Sequence, residues 1–284
     1  MRMTDPTPGP GAVPLGRETE YPARVDPAVL FAVARAQARQ PLGITRDALP
    51  FAGADIWNAW ELSWLDARGK PRVAVAEIRV PCASPNIVES KSLKLYLGGY
   101  AMTRCDDAHA VRARIARDVS VCVGAEVAVE LFEPDRFDHL GVASLAGESI
   151  DAAELAITHY DSPEPAQLRT RSRARVVEES LVSRLFRSRC PVTGQPDWAS
   201  VQIRYRGMPI GHDGLLRYLV SFREHPDFHE ACVERIFMDV VKRCAPLEVM
   251  VYARFLRRGG IDINPWRATP GFAATPANGR EIRQ

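Results

Sequence analysis

No two of the six cysteines are spaced C-x-x-C, which leaves no zinc knuckle and no thioredoxin-type redox site. Their scatter over 284 residues (Cys82, Cys105, Cys122, Cys190, Cys232, Cys244) fits reduced thiols better than a disulfide framework. No apolar run approaches the roughly 18 residues of a membrane helix, so no membrane partner is expected. The first residues carry Asp5 and four prolines by position 14 and no apolar stretch for a signal peptide, so the cytoplasm is the expected compartment. Charge of one sign is also lacking. A formal net charge of +2 gives neither a basic surface for direct nucleic-acid binding nor an acidic tail. No G-x-G-x-x-G follows a strand-like run, and there is no P-loop and no G-x-S-x-G. A nicotinamide cofactor would therefore need a binding mode other than a Rossmann domain. No metal is expected either: His225 and His229 are four apart, but Pro226 breaks the continuous helix that H-E-x-x-H requires.

What is present is the composition of an ordinary globular chain, 46% hydrophobic and 25% charged, long enough for one large or two modest domains. Residues 1–20 are rich in Pro and Gly and read as a flexible arm. Asp26-Pro27 reads as a helix start, with Pro41 ending that helix near Gln40. Alternation predicts strands at 56–65 and 72–80, joined as a hairpin. Helices follow, one with Leu93 and Leu97 on a face and one at 107–120 with Val111, Ile115 and Val119. A strand at 125–132 and a short one before 150 complete the half. After a Pro-containing linker at 161–170 the order repeats. Strands at 174–186 and 199–205 precede helices at 215–223 and 228–244, and strands at 247–256 and 261–263 close the unit. The expectation is an α+β protein of two tandem β-β-α-α-β-β modules with antiparallel sheets and helices on one face. The modules span 21–160 and 171–267, with a loose tail at 268–284.

Chemistry is best sought on the loop after the strand that ends near Ser188. Cys190 sits among Pro191, Gly194 and Pro196, which forbid regular structure, and is flanked by Arg187 and Arg189. Free cysteine has a pKa of about 8.5, and cationic neighbours favour the thiolate. Asp197, seven residues on, could fold back toward the same pocket. A Cys and a carboxylic acid without a loop His fit a covalent site that needs a proton donor, although a lone Cys also serves as a small buried hydrophobe. The junction Glu89-Ser90-Lys91-Ser92 offers either free helix N–H groups for an anion or a capped, solvated helix start. His229-Glu230 opens the strongest helix. Glu230 there either accepts paired N–H donors from a flat heterocycle or simply complements the macrodipole. Arg257-Arg258-Gly259-Gly260 suits phosphate contact or a solvated turn.

Three stretches together carry a family resemblance. Glu89-Ser90-Lys91-Ser92-Leu93-Lys94-Leu95-Tyr96 resembles the signature of the NADPH-dependent 7-cyano-7-deazaguanine reductases. The Cys190-to-Asp197 loop resembles their catalytic loop. Phe228-His229-Glu230 and the run Arg257 to Trp266 resemble their C-terminal signatures. The resemblance covers about residues 15–268 and is to the long, two-module form. It implies the tunnelling fold, a homodimer, and reduction of a small deazapurine nitrile to an aminomethyl group in queuosine biosynthesis, with two NADPH per turnover. It implies Cys190 as the thioimide-forming nucleophile, Asp197 as proton donor and His229 beside the nitrile. Val88, Glu89, Ser90, His229 and Glu230 would hold the substrate, and Ser90, Lys91, Arg258 and Gly259 would contact NADPH.

Overall fold

The structure is a computed structural model and describes residues 22–171, 175–272 and 275–284. The expected arm at 1–20 lies outside the described residues. Among the described residues, ten strands and five α-helices follow in chain order: β1 (Ala32–Ala34), α1 (Ala36–Arg39), β2 (Ala52–Leu65), β3 (Pro71–Pro81), β4 (Asn86–Val88), α2 (Ser90–Gly98), α3 (Ala108–Val123), β5 (Ala128–Phe132) and β6 (Glu148–Ser149). The second half contributes β7 (Val177–Arg189), β8 (Pro196–Gly207), α4 (His212–Ser221), α5 (His229–Cys244), β9 (Glu248–Phe255) and β10 (Ile261–Ala268).

The second half keeps the expected β-β-α-α-β-β order. The first departs from it. Its last strand, β6, does not return beside β5; it pairs in parallel with Leu181 and Val182 of β7 at the opposite edge. All main strands join one eight-stranded sheet in the order β5-β3-β2-β10-β9-β8-β7-β6, rather than separate sheets. The seam is β2 against β10, in register from Ile261↔Ala59 to Ala268↔Ala52. Both strands are long and alternate, so each satisfies the other's backbone edge while keeping its apolar face inward.

The helix expected from Asp26 to Gln40 does not form as one piece. Asp26 does cap, accepting the Ala28 N–H, but the turn stops at Val29. Residues 32–34 then pair with β4, and the Arg35 N–H goes to the Pro85 carbonyl. Ladder bonds to a tertiary partner outcompete the local helical signal here.

Alternation along the strands places Trp57, Ile78, Val201, Val251 and Ile263 on the face that the helices cover. Helix α5 presents Cys232, Val233, Ile236, Phe237 and Val240 to that face, all fully buried. Leu42, Ile44 and Phe51 pack into the core of the second half, Phe51 edge-on to Phe237, so the two cores interlock across the expected module boundary. The opposite sheet face carries Asn58, Asp262, Asn264 and Arg254. The tail, expected to be loose, is bonded down there. Asn278 reaches Asn58, Glu77 and Arg254, and Gln284 reaches Arg254, Asn264 and the Phe255 carbonyl. Buried polar groups on the sheet need partners, and these residues supply them.

Candidate active site

Cys190 follows the last residue of β7 and opens a hairpin loop into β8. The Cys190 N–H donates to the Gln195 carbonyl at 2.8 Å, and the Gly194 N–H returns to the Cys190 carbonyl at 2.9 Å. Gly194 has φ +67°, a left-handed turn that suits glycine. Asp197 lies on β8 itself rather than on the loop, opposite Ser188 and buried on the helix side of the sheet. The expected fold-back is thus a strand pairing.

Arg187 and Arg189 do not tune the thiol as their sequence positions imply. Glu224 takes both, at 2.5 and 2.9 Å, Arg187 lies over the Trp198 ring, and Arg189 donates to the Gly194 carbonyl. Burial is the largest influence on Cys190 and pushes its pKa up. Hydrogen bonds from the Thr193 hydroxyl and backbone, from the Val192 backbone and from the Arg258 guanidinium outweigh it and hold the thiol below the ordinary cysteine range. The helpers are loop donors and one distant arginine.

Val88, Glu89 and Ser90 from the β4–α2 junction, Cys190 and Asp197 from the hairpin, and His229, Glu230 and Arg258 line a single narrow cleft. His229 is the first residue of α5, its ring 4.0 Å from that of Phe255, and its Nε2 is 3.4 Å from Asp197 Oδ1. Arg258 Nε lies 3.1 Å from the same oxygen. Neither contact has the alignment of a hydrogen bond, so Asp197 Oδ1 is surrounded by charge yet holds no directed donor.

Glu230 is buried with Oε1 unpartnered. Burial, with the negative charge of Asp55 adding, raises its pKa to about 8, against Arg35, its own N–H and Arg267. Glu89 is a helix cap: its two oxygens accept the Lys91 and Ser92 N–H groups at 2.8 Å each. The N–H groups of that junction are therefore committed and do not await an anion. Each Glu89 oxygen still has lone-pair capacity toward the cleft it lines.

Lys91 and Gly259 stand outside the cleft lining. Gly259 has φ +59°, and a Cβ there would come within 3.2 Å of the Lys94 side chain. Burial and then the like charge of Arg258 push the Lys94 ammonium pKa down, against the negative groups Glu89, Asp197 and Cys190. Lys94 was not singled out from sequence. Its signal was there, one helical turn after Ser90 on the same face.

A second, roomier cavity shares Ile87, Pro191, Asp227, Phe228 and Glu230 with the cleft, so the two adjoin. Behind it lies a buried charge network that local sequence gave no sign of. Arg35 pairs with Asp55 at 2.5 Å, Arg39 with Glu234 at 2.7 Å, and Arg267 with both acids at 2.8 Å. Burial alone would raise the pKa of Asp55 and Glu234, but the arginines overcome it and hold both below the carboxylate range. Among the described residues no group of three or more His, Cys, Asp or Glu could hold a metal, and no helix is long and apolar enough to cross a membrane.

Two family models match: nitrile reductase, 7-cyano-7-deazaguanine-reductase N-term, over residues 21–131, and QueF-like protein, over residues 196–271. The chain is 56% identical over 270 residues to the NADPH-dependent 7-cyano-7-deazaguanine reductase of Stenotrophomonas maltophilia (strain K279a), covering 95% of this chain and 97% of that one. The enzyme of the same name from Bordetella avium (strain 197N) is 51% identical over 271 residues, 95% and 98% of the two chains. That from Burkholderia ambifaria (strain ATCC BAA-244) is 55% identical with the same coverage. The chain belongs to the 7-cyano-7-deazaguanine reductase family. In this family member the hairpin cysteine and strand aspartate come from one stretch of chain and the helix-start His-Glu pair from another, and the β2–β10 seam is what brings the first half's wall against them.

Proposed function

We propose that this protein is the oxidoreductase that its relatives are named for, reducing the nitrile of 7-cyano-7-deazaguanine to the aminomethyl group. The observation that carries the reading is one buried cleft holding a thiol favoured toward thiolate, a carboxylate, and an unpartnered acid suited to a heterocycle edge. In this reading Cys190 Sγ adds to the nitrile carbon, and Asp197 gives the nitrogen its proton, leaving a covalent thioimide. A thioimide carbon is more electrophilic than a bare nitrile. His229 sits where it orients or shares that proton. Glu230 and Glu89 accept the ring's N–H donors, between Val88 and Ser90 on the β4–α2 wall. Later in the sequence Cys190 departs as thiolate, and the resulting imine is kept from hydrolysis by the closed walls of the cleft.

The cationic pair Arg258 and Lys94 beside the positive-φ Gly259 fits a phosphorylated dinucleotide. Ser90, Lys91, Arg258 and Gly259 would hold NADPH, with Lys94 behind them. When bound, NADPH supplies hydride, and the four-electron change from nitrile to amine calls for two equivalents. The same reading takes the two halves, 21–160 and 171–267, as tunnelling-fold modules of a cytoplasmic homodimer in queuosine biosynthesis, acting on the free base and not on nucleic acid.

Replacing Cys190 by Ala is expected to abolish both the mass adduct with 7-cyano-7-deazaguanine and NADPH oxidation. Turnover persisting in that variant would sink the covalent route. Asp197→Asn is expected to slow the reaction by about 10²-fold or more, in keeping with loss of a positioned acid.

A further inference from the structure

Arg258 stands on the turn between β9 and β10, and its guanidinium is turned into the cleft. Its Nε lies 3.1 Å from Asp197 Oδ1, its Nη1 donates to Gln195 Oε1 at 2.7 Å, and it lines the cleft together with Cys190. One cation thus contacts Asp197 and the loop that carries Cys190. A group that protonates the nitrile nitrogen must hold a proton to give. Asp197 must first take one, and Cys190 carries the proton that the addition has to move.

We propose, on the nitrile-reductase reading, that Arg258 is a catalytic residue of the bond-forming step. Its guanidinium stands against Asp197, which removes the Cys190 proton, and shares the cleft in which the sulfur anion adds to the nitrile carbon. The same proton passes from Sγ to Asp197 and on to the nitrile nitrogen. The S–H bond breaks, S–C and N–H bonds form, and the C≡N triple bond becomes a double bond. No electrons are gained or lost, so the step needs no NADPH, and this role is separable from any contact with that cofactor.

Other charged groups face the pair from each packed element. His229 and Glu230 face it from α5, Lys94 and Glu89 from α2, and Asp227 from the segment before α5. His229 touches the carboxylate. Lys94 adds positive charge from behind Gly259, and Glu89 and Asp227 oppose it. Among these, Arg258 is the group that contacts both the carboxylate and Gln195 of the cysteine loop.

The test uses the full chain without NADPH. Iodoacetamide alkylation of Cys190, followed by peptide mass across pH, reads the thiol alone. Intact mass with 7-cyano-7-deazaguanine reads adduct formation. In Arg258→Gln the alkylation profile is expected to move to higher pH, and adduct formation at neutral pH to slow about tenfold or more, recovering as pH rises. Arg258→Lys should restore much of both. Gln195→Ala keeps the charge but frees Nη1, and should shift the profile the same way by less. Circular dichroism checks that each variant folds. A parent-like alkylation profile and adduct rate in Arg258→Gln, with only NADPH turnover lost, overturns the proposal. Should the parent itself form no adduct, the nitrile reading falls and takes the bond-forming role with it.

Discussion

A buried carboxyl with an unpartnered oxygen, as at Glu230, carries a desolvation penalty that a ligand with N–H donors relieves. Its folded pKa of about 8 stands above the ordinary 4.5. Folding therefore favours the protonated form. Its stabilising effect is complete below about pH 4.5 and is lost as pH rises through 8. Glu230→Gln is thus expected to melt higher than the parent at pH 9, by an amount on the order of a few kcal/mol, and to lose that advantage at pH 4.5. Thermal melts across pH check it, and a constant difference at all pH would contradict the assignment. The same variant should bind the deazapurine weakly. Cys190 and the His229-Glu230 pair were legible because reactive residue types stood at loop and helix-start positions. Arg187 and Arg189 were misread because sequence shows adjacency and not the Glu224 that occupies them. The contacts of Arg258 with Gln195 and Asp197 were invisible for the converse reason, since they lie far apart along the chain.

Among elements, the long amphipathic ones followed their sequence pattern. Helix α5 and strands β2, β3 and β8 form where apolar periodicity predicts them, because each has a whole face to bury. Short segments were decided by partners. Residues 26–40 carry a sound helix cap, yet pairing of β1 with β4 wins. The polar tail gave no periodic signal, but Gln284 fills a polar site, donating to the Phe255 carbonyl at 2.7 Å and accepting from Arg254 Nε at 2.6 Å. Removing that side chain leaves Arg254 short of a buried partner. Gln284→Ala is expected to lower unfolding stability by about 1–3 kcal/mol, read by urea titration. A change within error would return the tail to the loose segment that composition implied.

At the scale of the molecule, the two halves are tied by the β2–β10 seam and by buried charge. Arg39 and Asp55 come from the first half, Glu234 and Arg267 from the second, and all four are almost wholly inaccessible. Replacing Arg267 by Gln leaves Asp55 to Arg35 and Glu234 mainly to Arg39 and should destabilise by about 3 kcal/mol while keeping a single unfolding transition. Two separated calorimetric transitions in the parent would instead show halves that melt independently. The element order of the second half was readable, and that of the first half was not. Neither was the continuous sheet, because strand pairing between distant segments leaves no local mark. The account turns on a covalent nitrile adduct at Cys190, and the most direct measurement mixes protein with 7-cyano-7-deazaguanine before adding NADPH. Intact mass should show one adduct localised to Cys190, followed by two NADPH oxidised per amine formed. No adduct on the parent chain, or amine formed while Cys190 stays unmodified, would contradict it.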